Sequence, residues 1–82
     1  MAYKVLNYHD EPYGDHQIGF CTVDMSGKCT IILKVLKSRQ GNIYCAFNSV
    51  RIGSSWLPDF SFSDKDFERT FLSDCLEQIK PM

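Results

Sequence analysis

The chain has 82 residues, of which 44% are hydrophobic and 13% aromatic, and its net charge is −1. This length suits one domain covering residues 1–82, and this composition excludes a disordered chain. No apolar stretch approaches the ~20 residues that span a membrane, and the first eleven residues lack the apolar block of a signal peptide. We therefore expect a single cytoplasmic domain without a membrane partner.

The first 16 residues are predicted to form an N-terminal segment and an acidic loop. Residues 2–8 (AYKVLNY) are compatible with a short strand. Residues 9–16 (HDEPYGDH) combine a proline, a glycine and three acids, which is typical of a loop.

Four later segments are rich in β-branched and aromatic residues, and each is bounded by Ser, Gly or Asn. They are residues 17–25, 29–37, 42–52 and 56–62. Because the connections are short, consecutive segments are expected to pair as antiparallel neighbours. The pattern predicts a β-meander over residues 17–62, with Pro58 placing the last strand at an edge.

The hydrophobic period changes after residue 62, where apolar residues recur every three or four positions up to Ile79. Ser63 is a suitable N-cap, Phe62 and Phe67 have the spacing of a hydrophobic staple, and Pro81 should end the helix. We predict a helix over residues 64–79. The fold class is therefore α+β: an antiparallel β-meander of four strands, or five if residues 2–8 join, with one C-terminal α-helix packed on one face.

Alternation assigns the two faces of the predicted sheet. The face against the helix is expected to carry Cys29, Ile31, Leu33, Val35, Ile43, Cys45, Phe47, Phe60 and Phe62. The open face is expected to carry Lys28, Thr30, Ile32, Lys34, Leu36, Tyr44, Ala46, Asn48 and Val50. Because a face meant only for water should be mostly polar, a ligand or a partner is expected to cover this one.

The four cysteines have spacings that match no zinc motif. They are Cys21, Cys29, Cys45 and Cys75. In a cytoplasmic chain they are expected to be buried free thiols, with one inter-strand disulfide as the alternative.

Charge is segregated along the chain, since residues 25–58 contain five basic side chains and no acid. Lysines beside aromatic rings on an open sheet suit single-stranded nucleic acid, through phosphate neutralisation and base stacking. The candidate nucleic-acid-binding residues are Lys28, Lys34, Lys37, Arg39, Tyr44, Arg51 and Trp56. The alternative is a solvated basic surface, which the overall pI of about 6.0 favours.

A protein partner would use the same face. A second copy of the chain would form a homodimer, and a foreign partner would make the chain an inhibitor or adaptor, such as a phage encodes. The candidate interface residues are Ile32, Leu36, Tyr44 and Ala46.

Catalysis is the least favoured function. His9 and His16 lie near three acids, but their spacing fixes no metal geometry, and no phosphate loop or nucleophile motif is present. We predict a non-enzymatic binding module with no cofactor and no metal site.

From Gly27 to Ile79 the chain resembles the sporulation-protein SpoVG family. The resemblance rests on a basic turn with Lys37, Arg39 and Gly41, on the segment Asn48-Ser49-Val50-Arg51, and on Phe60-Ser61-Phe62-Ser63 before the helix. It implies a β-meander with a C-terminal helix, forming a homodimer that binds nucleic acid as a regulator.

Overall fold

The computed structural model describes residues 3–80. Its elements are β1 (Tyr3–Tyr13), β2 (Gln17–Met25), β3 (Cys29–Lys37), β4 (Ile43–Phe47), β5 (Ser49–Ile52), β6 (Ser55–Pro58) and α1 (Lys65–Ile79). Strands β1 to β4 form one antiparallel sheet in chain order, and β5 pairs with β6 in a separate two-stranded sheet. The predicted α+β class is confirmed, with a four-stranded antiparallel meander and one C-terminal helix.

The first strand is longer than predicted. Residues 9–13, expected in a loop, continue β1 as far as Tyr13, so the loop shrinks to a turn. Register shifts between Val5 and Asn7 and between Asp10 and Tyr13 absorb the irregular sequence. Because β1 is an edge strand that pairs only with β2, Pro12, which lacks a backbone N–H, can be accommodated there.

The predicted strand 42–52 is wrong, because it divides at Asn48 into β4 and β5. The Asn48 side-chain amide donates to the carbonyl of Ile32 at 3.3 Å, and the Asn48 carbonyl accepts from the backbone N–H of Asp59 at 2.9 Å. Residues 56–62 therefore do not form the fourth strand of the meander. The meander comprises residues 3–47 instead of 17–62, and β6 pairs with β5 alone.

The helix begins one residue later than predicted and has a different cap. The carboxylate of Asp64, not the hydroxyl of Ser63, accepts from the backbone N–H groups of Asp66 and Phe67, at 3.0 and 3.1 Å. A carboxylate at this position also interacts favourably with the positive end of the helix dipole. Pro81, predicted to end the helix, lies outside the described residues.

The core lies between α1 and the inner face of the four-stranded sheet. Its buried members are Val5, Cys21, Val23, Met25, Leu33, Val35, Cys45, Phe71 and Cys75. Phe71 is held by aromatic neighbours, with Tyr3 at 4.8 Å and Phe62 at 5.1 Å between ring centroids. The expected burial of Leu33, Val35 and Cys45 is confirmed.

Two residues assigned to the inner face are exposed, which corrects the sequence-based expectation. Cys29 lies at the first position of β3, at the end of the strand, where its side chain is exposed. Ile43 begins β4 at a corner of the sheet that α1 leaves uncovered, and it remains 46% exposed.

The cysteines are all free, so the alternative of an inter-strand disulfide is wrong. Burial raises the pKa of the Cys75 thiol to about 12. The Cys45 thiol donates toward the sulfur of Cys21, which raises the pKa of Cys45 and lowers that of Cys21. Among residues 3–80, no helix combines the length and apolar character needed to cross a membrane.

Candidate nucleic-acid interface

The outer face of the four-stranded sheet is not covered by α1. Because successive side chains of a strand point to opposite faces, the burial of Leu33 and Val35 against the helix directs Ile32, Lys34 and Leu36 outward. Ile32 is 49% exposed, although it lies in the middle of β3. We call this outer face the open face.

A row of paired residues crosses all four strands of the open face. His9 pairs with Phe20, Phe20 with Lys34, and Lys34 with Ala46. The rings of His9 and Phe20 are 5.1 Å apart between centroids with an interplanar angle of 31°. The row therefore places two contacting rings beside a lysine, and a small side chain follows on the next strand.

A third aromatic side chain of the open face lies two residues from Ala46 along β4. Tyr44 pairs with Leu36 and is 45% exposed. The four predicted interface residues, Ile32, Leu36, Tyr44 and Ala46, thus lie on the same face as Lys34. Their placement on one face was anticipated, because it follows from the period of two along β3 and β4.

Lys34 gives the open face a basic side chain without an acidic partner among the described residues. Lys34 forms no ion pair within residues 3–80; the ion pairs found there, Lys65–Glu68, Arg69–Asp66 and Lys80–Glu77, all involve α1 or its last flanking residue. The register places Asp24 on the open face between Lys4 and Thr30. Its carboxylate accepts from the Gly27 N–H at 3.0 Å, so this acid lies beside the β2–β3 turn.

The other predicted nucleic-acid-binding residues are dispersed. Lys28 precedes β3 and Lys37 ends it, roughly 30 Å away by the rise of a strand. Lys37 alternates onto the helix side with Val35, and Arg39 lies in the turn that follows. Arg51 and Trp56 face each other across the β5–β6 hairpin. The structure therefore brings together Lys34 and Tyr44 but not the whole set.

Two aromatic residues of the open face, His9 and Phe20, are not among the candidates that the sequence pattern indicates. The composition of residues 9–16 is typical of a loop, so it gives no sign that His9 lies on a strand, although its alternation with Tyr8 continues β1. The weak alternation of residues 17–25 does not by itself assign Phe20 to a face. The signal that identifies it is the inward set Cys21, Val23 and Met25, which directs residue 20 outward.

The two histidines do not form a catalytic or metal cluster. The ring of His9 packs against that of Phe20 in a tilted arrangement, whereas the Nδ1 of His16 lies 3.3 Å from the carbonyl oxygen of Lys37. Among the described residues, no three histidine, cysteine or acidic side chains are arranged to hold a metal ion.

No family model, curated protein or solved structure matches this chain. The resemblance to the SpoVG family remains a prediction.

Proposed function

We propose that the protein is a non-enzymatic regulator that binds single-stranded nucleic acid on the open face. One observation carries the proposal: the row His9–Phe20–Lys34–Ala46, with Tyr44 beside it, lies on an uncovered antiparallel sheet. Single strands are bound on such surfaces by base stacking on aromatic rings and by phosphate contacts with cations.

The spacing of the rings suggests the size of the site. Phe20 and Tyr44 are separated by two strand spacings and two residues, which is roughly 12 Å across the sheet. Bases stacked on these two rings would place the connecting phosphates over Lys34. A sheet of this type accommodates about two or three stacked bases.

The test is fluorescence anisotropy with labelled single-stranded DNA and RNA at low and high salt. We expect Lys34→Glu to weaken binding about tenfold for every sequence and to lower the salt dependence. Phe20→Ala and Tyr44→Ala remove stacking, and each should weaken binding by about fivefold or more. Lys65→Glu, a charge reversal of the same size on the helix, is the matched control and should leave binding unchanged.

Equal losses for Lys34→Glu and Lys65→Glu would show that only net charge matters, and would refute a site on the open face. Absence of binding at low salt would refute nucleic-acid binding altogether.

A second candidate is protein binding, and the β5–β6 hairpin favours it. Ile52 is 60% exposed and Trp56 is 67% exposed, although both are large and apolar. An isolated two-stranded hairpin is marginally stable in water, so a further strand or surface should stabilise it. We propose a second copy of the chain as this partner. Light scattering should give twice the monomer mass, and Ile52→Asp should return the monomer mass.

A further inference from the structure

A groove runs between α1 and the β4 side of the sheet. Leu76 lines two adjoining hollows of this groove, of about 290 and 310 Å³. The first lies between Leu72 of the helix and Cys45 of β4. The second lies between Ile79 of the helix and Val35 of β3. Each volume is near the lower limit of small-molecule sites in proteins, and the walls are largely apolar.

The groove is open because α1 crosses the sheet through Phe71 and Cys75, away from one corner. Ile43 is in that corner, on the same side of the sheet as Val35, and it lines the second hollow. Ile18 and Tyr8 close the hollow from the first two strands. An apolar surface that was expected to be core is therefore accessible from solvent.

Basic side chains lie at the end of the groove near Ile43. Lys80 lines the second hollow, and Lys37 pairs directly with Ile43 on the same side of the sheet. Lys80 contacts Glu77 at 3.0 Å, but both side chains are more than half exposed, so this ion pair is weak. Lys37 forms no ion pair within residues 3–80.

Other polar groups border the groove. The Tyr8 hydroxyl donates to the Ile18 carbonyl at 3.5 Å and lies near the Asp10 carboxylate. At the far end, Arg69 lines the first hollow and pairs with Asp66 at 3.5 Å. Both side chains of the Arg69–Asp66 pair are also largely exposed, so this ion pair is weak as well. The Ile43 end has two basic side chains, Lys37 and Lys80, against one, Arg69, at the far end, and the two lysines form a positive rim there.

We propose that this groove binds a fatty acid, with the carboxylate near Lys37 and Lys80 and the alkyl chain along Leu76 toward Leu72. The helix rises about 16 Å between residues 69 and 80, a distance that an alkyl chain of about a dozen carbons spans. The anionic head of a fatty acid matches the positive rim, and its apolar tail matches the apolar walls. Tyr44, at the edge of the open face, also lines the first hollow, but neither Phe20 nor Lys34 lines either hollow. The proposal does not depend on the function proposed for the open face.

The experiment is isothermal titration calorimetry of the whole chain with dodecanoate, below its critical micelle concentration. Dodecyltrimethylammonium has the same tail and the opposite charge, and it serves as the matched ligand control. We expect dodecanoate to bind at least about fivefold more tightly, since the two lysines favour the anion. Equal affinities, or no binding of dodecanoate, would overturn the proposal.

Variants locate the site. Ile43→Glu places a carboxylate at the positive end on an already exposed position, and should weaken dodecanoate binding by about tenfold or more. The double variant with Lys37→Gln and Lys80→Gln should weaken it about fivefold. Lys28→Gln with Lys34→Gln removes the same charge elsewhere and should have no effect. Circular dichroism checks that each variant is folded, and unchanged affinity in folded Ile43→Glu would place the ligand elsewhere.

Discussion

At the scale of single residues, Gly19 is required because the sheet leaves no room for a side chain there. A Cβ atom at this position would overlap the carbonyl oxygen of His9 and the ring of Tyr8. We predict that Gly19→Ala lowers the free energy of unfolding by about 1–3 kcal/mol, because backbone of β1 would have to move. Urea denaturation followed by circular dichroism measures this loss.

Gly53 provides the comparison. Its φ is +64° and nothing lies within 4 Å of a Cβ built on it, so its constraint is backbone conformation rather than space. Asparagine tolerates this region better than other side chains do. Gly53→Asn should therefore be nearly neutral, whereas Gly19→Asn should be as damaging as Gly19→Ala. Equal effects at the two positions would contradict the steric account.

Tyr3 anchors the first strand to the helix by donating a hydrogen bond to the Asp74 carboxylate. This bond, together with burial, raises the pKa of Tyr3 to about 12. Because the pKa is higher in the folded state, the stabilisation is complete below pH ~10 and is lost as pH rises through about 12. Ultraviolet titration should show one tyrosine hydroxyl that ionises at higher pH than the others. Asp74→Asn should lower the pKa of this Tyr3 hydroxyl toward ~10. An unshifted titration in Asp74→Asn would contradict the assignment.

The cysteines differ sharply in accessibility. Cys29 is exposed, while Cys21, Cys45 and Cys75 are buried. We predict that a thiol reagent modifies one cysteine per chain rapidly and the other three only on unfolding, because reactivity requires an accessible thiolate. Cys29→Ser should abolish the rapid phase. More than one rapid equivalent in the folded protein would show that the core opens readily.

At the scale of elements, the start of α1 depends on Asp64. Asp64→Ala should lower the free energy of unfolding by about 1 kcal/mol, since two backbone donors lose their acceptor. Ser63→Ala is the neighbouring control and should change it by less than about 0.5 kcal/mol. Thermal and urea denaturation measure both. A larger loss of stability for Ser63→Ala than for Asp64→Ala would indicate that Ser63 is the N-cap, as the sequence pattern predicts.

Strands and helices whose apolar residues recur at a regular spacing could be predicted from the sequence. Strands β2 and β3 were predicted with their observed ends, and the helix within one residue. The division at Asn48 could not be predicted, because the alternating pattern continues through Val50 and Ile52. The strand divides where the side-chain amide of Asn48 donates a hydrogen bond to the carbonyl of Ile32, a contact that depends on tertiary structure.

The same limit applies to the candidate site. Lys34 and Tyr44 were identified because alternation alone directs them outward. His9 was missed because Pro12 and Gly14 made its surroundings typical of a loop, whereas the irregularity is absorbed in the register of an edge strand. Charge alone groups Lys37 with Lys34, although the alternation of side chains along β3 directs Lys37 to the helix side.

At the scale of the whole molecule, the two layers differ in charge. The helix layer contains acids that pair locally with Lys65, Arg69 and Lys80. The open face presents Lys34 without such a partner. A net charge of −1 is therefore compatible with a locally basic surface. The acidic helix should disfavour binding of nucleic acid to the helix layer.

The most direct measurement is an NMR titration of isotope-labelled protein with single-stranded oligonucleotides of about ten nucleotides at low salt. We predict chemical-shift changes at Phe20, Lys34 and Tyr44 that disappear when salt is raised, with the amides near Lys65 unaffected. Shifts confined to the helix layer, or no shifts at low salt, would contradict the proposed function.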